Sequence, residues 1–387
     1  MPDTATFQSL SQFDLPPAIT TDADFVGAWQ AHILPTLREP EVHFIGAQGW
    51  VSCAQLIGPV PLLTSRRAYP LGWRYDIPVR VPLMPDVQPQ TPSSHHPLSF
   101  DWARFHWVPE TITPDIPIHS RFHPDTPLTN TLTNTLASPD SIPEALQQAL
   151  TTQACHYRTV DNNPYPQIAL HPDDTWDSYW ASRSKKTRER LNNRTNRAKG
   201  LGVCIEPIPQ HLQNEAIQQL LNWHAHKLQA LHQHPWWQPG PPYLFDLPEE
   251  QAFFWAWVDA LQRQERLIVM GVYLNNTLCG VLLTIVTQPP TLKTAGSIYC
   301  LITATSGDYP EASPGSLALL GLTQWCIENH YRFIDMGLGI TDIKRSLATH
   351  ILPTSFGWLV SQSSWLGQLT WLQSQWRLGK PPQSPSP

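Results

Sequence analysis

The spacing of apolar residues changes along the chain, and the change separates helices from strands. Near the start Phe25, Trp29, Ile33 and Leu37 recur every four positions, which predicts a helix over residues 23–37. Phe44-Ile45-Gly46 and residues 50–56 read as short extended pieces, residues 68–83 as Pro-broken strands, and residues 100–107 as another strand. The Pro/Ser/Gln stretch 85–97 and the Pro/Thr stretch 109–140 are predicted loops, with a helix over 142–152 after them.

From residue 174 the pattern is clearer. Thr175 or Asp174 is placed to cap a helix beginning near Trp176, and a basic helix follows over about 185–199, stopped by Gly200-Leu201-Gly202. A strand is predicted over 203–208. The helix over 214–231 puts Ile217, Leu220, Leu221, His224 and Leu228 on one face, and an aromatic-rich helix covers 249–262. Strands 267–274 and 279–286, joined through Asn275-Asn276, form a predicted hairpin. A strand over 297–303, an apolar helix opened by Ser313-Pro314-Gly315, a strand Arg332-Phe333-Ile334-Asp335, a short helix around Lys344 and a strand over 356–361 complete the order. This order predicts an α+β fold with a mixed, mostly antiparallel sheet flanked by helices.

Composition narrows the function. A chain of 387 residues has room for two domains or two fused halves. Its net charge of −6 argues against DNA as a partner, since general nucleic-acid binding leaves a basic excess. Six Cys without a CxxC pair, an N-terminal stretch without an apolar run and the lack of any 18-residue apolar window predict a cytoplasmic chain with no transmembrane segment. His224, His226, His232 and His234 fit neither HExxH nor zinc-finger spacing, so no metal is expected.

Helix N-termini attract anions through unpaired N–H groups and the helix dipole. Ser313 is a good N-cap, Pro314 suits the first turn, and Gly315 beside Ser316 lets a ligand approach the backbone. Asp335, at the end of an apolar strand, either handles the proton of an amine nucleophile or caps the Gly337–Gly339 turn. Lys344 either neutralises charge on an acyl oxygen or donor phosphate, or is a surface lysine. Residues 183–199 hold eight of the 25 basic residues, with Arg188 and Arg194 the pair to test; they form a solvated face or meet a phosphate-rich partner. No aromatic residue interleaves with them, so nucleobase stacking has no support. His226 or Lys227 is placed to face a cleft. Trp237, in a rigid Pro-flanked Trp-Trp loop, either lines an acceptor pocket or packs in the core. Trp365, Leu369, Leu372 and Trp376 form a helical stripe read as a docking face.

Three segments together resemble the GNAT acyltransferase superfamily, and within it the CelD-like branch (cellulose-biosynthesis acetyltransferases) related to FemAB-type transferases. They are Trp176-Asp177-Ser178-Tyr179-Trp180 with the basic run to Arg197, the hairpin around Asn275-Asn276-Thr277, and the Ser-Pro-Gly helix with Asp335-Met336-Gly337 and Lys344. The resemblance covers roughly residues 165–360. It implies two GNAT-like halves packed together: a degenerate one over 21–160 and the acyltransferase domain over 161–378. Lack of periodicity predicts a flexible arm at 1–20, and the Pro/Ser composition a disordered tail at 379–387. It implies an acyl-CoA co-substrate, no permanently bound cofactor, and direct attack by an amine on a sugar or peptide acceptor. Asp335, Lys344 and Tyr299 would be catalytic, with Tyr299 protonating the leaving thiolate, and residues 313–316 would hold the donor. It also implies a link to cell-envelope or polysaccharide biosynthesis. Where GNAT enzymes carry Arg/Gln-x-x-Gly-x-Gly/Ala, this chain has Tyr309-Pro310-Glu311-Ala312-Ser313-Pro314-Gly315. Two rivals stay open: a FemAB-type transferase using aminoacyl-tRNA, and a non-catalytic GNAT-fold scaffold.

Overall fold

A computed structural model describes residues 23–32, 38–44, 50–57, 64–70, 79–81, 102–109, 155–171, 173–231, 248–291, 296–337 and 339–361. The expected arm, the loop 85–97, the 109–140 loop beyond Pro109, the helix 142–152, Trp237, the Trp365–Trp376 stripe and the tail lie outside these residues. The chain divides into two compact units, one built mainly on Asn163–Leu352 and the other mainly on Ala18–Thr111, Leu128–Asn162 and Pro353–Pro387.

In the latter unit α1 (Ala23–His32) falls within the predicted helix, whose residues 33–37 lie outside the described ones, and Phe25 and Trp29 are buried. Strands β1 (Arg38–Phe44), β2 (Trp50–Ile57) and β3 (Thr64–Pro70) pair antiparallel in sequence order. Both β3 and β4 (Val79–Val81) run parallel to β5 (Trp102–Pro109). The strand β1 was not expected, because Arg38-Glu39-Pro40-Glu41 has no apolar alternation.

The other unit holds Asp335, Lys344 and the basic helix. Its elements are the part of β6 (Cys155–Ala169) from Asn163 on, α2 (Trp176–Ser182), α3 (Lys185–Gly200), β7 (Val203–Pro207), α4 (Gln210–Leu231), α5 (Pro248–Arg263), β8 (Leu267–Leu274), β9 (Thr277–Gln288), β10 (Gly296–Thr305), α6 (Pro314–Glu328), β11 (Tyr331–Asp335), α7 (Asp342–Leu347) and the start of β12 (His350–Ser361), up to Leu352. The strand order is β6-β11-β10-β9-β8-β7. Every pair is antiparallel except β10 with β11, which α6 joins as a crossover. The fold is thus the expected mixed, mostly antiparallel sheet flanked by helices, of GNAT type. The hairpin turn forms as the sequence predicts: Asn275 and Asn276 both take positive φ, 48° and 65°.

Strand alternation sorts the two faces. Met270, Val272, Leu274, Ile298, Ile334 and Ile168 join one core cluster with Ala318, Leu319, Leu322 and Cys326 of α6. Residues next to them in sequence, among them Gln167, Tyr299 and Asp335, belong to the opposite face. The strand β6 was missed by sequence reasoning. Asn162-Asn163-Pro164 and Pro166 depress local strand propensity, and pairing with the distant β11 supplies the order instead.

Candidate functional site

The parallel pair determines where a ligand can enter. It runs in register from Ser297↔Phe333 through Tyr299↔Asp335, where β11 ends while β10 continues to Thr305. The pairing ends at Tyr299 and Asp335, and the carboxyl ends of a parallel pair are where ligands of open sheets usually bind.

Asp335 sits at this fork, 1% exposed. One carboxylate oxygen, Oδ1, accepts the Gly337 N–H at 2.9 Å, so the carboxylate does cap the turn that the sequence left as one of two readings. The other, Oδ2, accepts the Tyr165 hydroxyl at 2.5 Å. Gly337 takes φ 70°, and a Cβ there would lie 3.3 Å from the Cys300 carbonyl oxygen and 3.8 Å from the Tyr299 hydroxyl. Tyr165, Tyr299, Gly337 and Asp335 therefore converge on one spot. Tyr165 was not among the residues expected, because β6 had no strand signature.

Lys344 belongs to the same neighbourhood. Burial lowers its pKa from the ordinary lysine value, with Cys300 and Asp335 pulling the other way. Its helix α7 is held at both ends. Thr341 Oγ1 caps the Lys344 N–H at 3.4 Å, while the Tyr179 hydroxyl donates to the Leu347 carbonyl at 2.6 Å and Arg183 Nη1 to the Ala348 carbonyl at 2.8 Å. Arg190 of α3 bonds Ser346 on the same helix. Cys300 offers no nucleophile here: burial pushes its thiol up to about 12, Lys344 lowering it and Asp335 raising it further.

A second feature lies at the start of α6. A cavity of about 470 Å³ is lined by Lys186, Arg190, Arg194 and Arg197 of α3, with Asn193, Glu189, Glu311 and Ser313. The basic residues at 186, 190, 194 and 197 fall on one helical face by their spacing. Burial lowers the Arg194 pKa, Arg190 and Arg197 lower it further, and Asp342 raises it. The cations crowd one another, a repulsion that a bound anion relieves.

Ser313 corrects the expectation of a side-chain cap. Its backbone is left-handed (φ 51°, ψ 51°), ending a 3₁₀ turn, Pro310–Ala312, and its hydroxyl donates to the Pro310 carbonyl at 3.4 Å instead of capping α6. Pro314 is buried and close to β9; a Cβ on Gly280 would meet it at 2.9 Å. Gly315 is not required by packing, since a Cβ there would meet only Thr305 and Thr303 at 3.5 and 3.6 Å. The Ser316 N–H already bonds the Ser313 carbonyl at 3.0 Å, and Pro314 has none to offer. This start thus supplies few free amides, and the arginines of α3 supply the positive charge.

The remaining expected residues lie apart. Arg188 is off the cavity-lining face, and its Nε is buried without a hydrogen-bond partner among the described residues. His226 is exposed near the end of α4. His224 is half-buried, its pKa lowered by burial and by Lys227. Among the described residues no cluster of three or more His, Cys, Asp or Glu could hold a metal, and no helix is long and apolar enough to cross a membrane.

The architecture is an antiparallel sheet interrupted by one parallel pair, with Asp335 at the end of that pair. Residues 185–345 match the family described as acetyltransferase (GNAT) domain. The match is to the domain at large and does not single out the CelD-like branch. No curated protein matches the chain. Solved structures similar in chain course include the C-terminal DUF2156 domain of a proposed lysylphosphatidylglycerol synthetase from Agrobacterium fabrum, at 10% identity over 92% of this chain and 94% of that one, TM-score 0.42. FemX is similar at 9% identity over 87% and 92%, TM-score 0.42. An aminoglycoside acetyltransferase from an uncultured soil metagenomic sample, crystallised with trehalose, is similar at 15% identity over 35% and 77%, TM-score 0.24.

Proposed function

We propose that the chain is an N-acyltransferase that moves an acyl group from an acyl-CoA-type thioester to an amine on a sugar or peptide acceptor. The observation that carries this reading is the crowded cationic cavity of Lys186, Arg190, Arg194 and Arg197 at the start of α6. A thioester donor with a phosphate-rich tail would satisfy that charge while its acyl end reaches the fork between β10 and β11. The amine nitrogen attacks the thioester carbonyl directly. Its C–N bond forms, the C–S bond breaks, Asp335 takes the amine proton and Tyr299 returns a proton to the leaving thiolate. The Lys344 ammonium neutralises the oxyanion that forms in between. The thiol state of Cys300 supports a route without a covalent enzyme intermediate. The finer CelD-like resemblance, a cytoplasmic location and a role in envelope or polysaccharide assembly belong to this same proposal. The test is mass spectrometry of glucosamine and triglycine incubated with acetyl-CoA and the protein. An N-acetyl product that is lost in Lys344→Ala supports the reading. Absence of product with acetyl-CoA and longer acyl-CoAs favours the aminoacyl-tRNA or scaffold rivals.

A further inference from the structure

Resting on the acyltransferase reading, we infer that Gln167 is the acceptor-recognising residue of the fork, selecting amines that carry a neutral hydrogen-bonding neighbour. Gln167 is 0% exposed, yet neither its Oε1 nor its Nε2 has a hydrogen-bond partner among the described residues. A buried polar atom left unpaired is destabilising, so an amide with both ends unpaired in a native core calls for an occupant. Its position says which one. Gln167 is the direct cross-strand partner of Asp335, and directly opposed residues of an antiparallel pair project from the same face. Tyr165, two residues earlier and therefore on that face too, confirms the geometry by its bond to Asp335. The strand itself is held rigidly, since the Thr349 N–H donates to the Gln167 carbonyl at 2.9 Å and the Ala169 N–H to Thr349 Oγ1 at 2.8 Å.

A carboxamide presents one acceptor and two donors side by side and carries no charge. Set next to the carboxylate that receives the amine, it matches a substrate whose amine has a neutral donor–acceptor group beside it. A hydroxyl next to the amine of an amino sugar and an amide next to a peptide amine share that chemistry. Because β6 lies before residue 185, this determinant comes from outside the segment that matches the GNAT domain.

The experiment uses the full chain and Gln167→Leu, an apolar replacement of similar size. Three acceptors are compared with acetyl-CoA by thiol release: glucosamine, glycinamide and ethylamine, the last lacking the neighbouring group. Wild type is expected to prefer glucosamine or glycinamide over ethylamine at least tenfold in kcat/KM, and the preferred probe tells sugar from peptide. In Gln167→Leu that preference falls to within about threefold, a difference of at least ~0.7 kcal/mol in discrimination. The thermal midpoint of the variant stays level or rises by about 2–4 °C, because an unpaired buried amide has been removed. A lowered midpoint, or a preference that survives the substitution, overturns the inference. Failure of the underlying reading shows separately, as wild type that releases no thiol with any acceptor; the midpoint then decides on Gln167 alone.

Discussion

The hydroxyl of Tyr165 and the carboxylate of Asp335 meet at 2.5 Å in a site closed to solvent, and that contact can be measured. Tyr165→Phe removes one oxygen and leaves the ring. A hydrogen bond to an ionised group is worth about 1.5–3 kcal/mol, and the low local dielectric favours the upper part of that range. The Gly337 N–H on the other carboxylate oxygen remains, so the loss stays well short of that for an isolated buried charge. Tyr165→Phe is therefore expected to cost about 2 kcal/mol in urea unfolding at pH 7. Asp335→Asn removes the charge that makes the bond strong, and should cost a similar amount. The two changes act on one interaction, so the double variant should be less destabilised than the sum by about 1.5 kcal/mol. Additivity within ~0.5 kcal/mol would refute the reasoning, because it would mean that hydroxyl and carboxylate do not meet in the folded protein.

Two further predictions concern pH. Burial, then Arg183, lowers the His350 pKa from 6.5 to about 4, so the unfolded chain binds the extra proton first. The contribution is present in full above pH 6.5 and is lost as pH falls towards 4. Between pH 7 and 4.5 wild type should lose about 2.5 kcal/mol more than His350→Gln in urea titrations, and parallel losses would contradict the assignment. Lys344, lowered by burial, should give kcat/KM an alkaline limb below the ordinary lysine value of 10.5. Lys344→Arg, which stays charged, should flatten it, and a limb unchanged in that variant would point to another group.

Much of the unit built mainly on Asn163–Leu352 was legible because its signals are local. The charge spacing of α3, the Asn-Asn turn between β8 and β9 and the Asp at the end of an apolar run can each be read within a few residues. What was not legible depends on distant partners. Tyr165 and Gln167 lie on a strand whose Pro and Asn residues argue against a strand, and only pairing with β11 brings them to Asp335. Ser313 looked like an ordinary cap, but the 3₁₀ turn before it forces a left-handed backbone that turns its hydroxyl away from α6. Arg188 and Arg194 looked equivalent in sequence. Helical geometry puts Arg194 on the cavity-lining face with 186, 190 and 197, and Arg188 on a different one.

The central claim, that the cationic cavity holds the phosphate-rich tail of a thioester donor, is tested most directly by calorimetric titration with acetyl-CoA and longer acyl-CoAs. The same titration is run on Arg194→Glu, which reverses one charge on the cavity wall. Micromolar binding by wild type, weakened at least tenfold in the variant and by added salt, is the predicted result. Binding of equal strength in both proteins, or none by folded wild type, would contradict the claim.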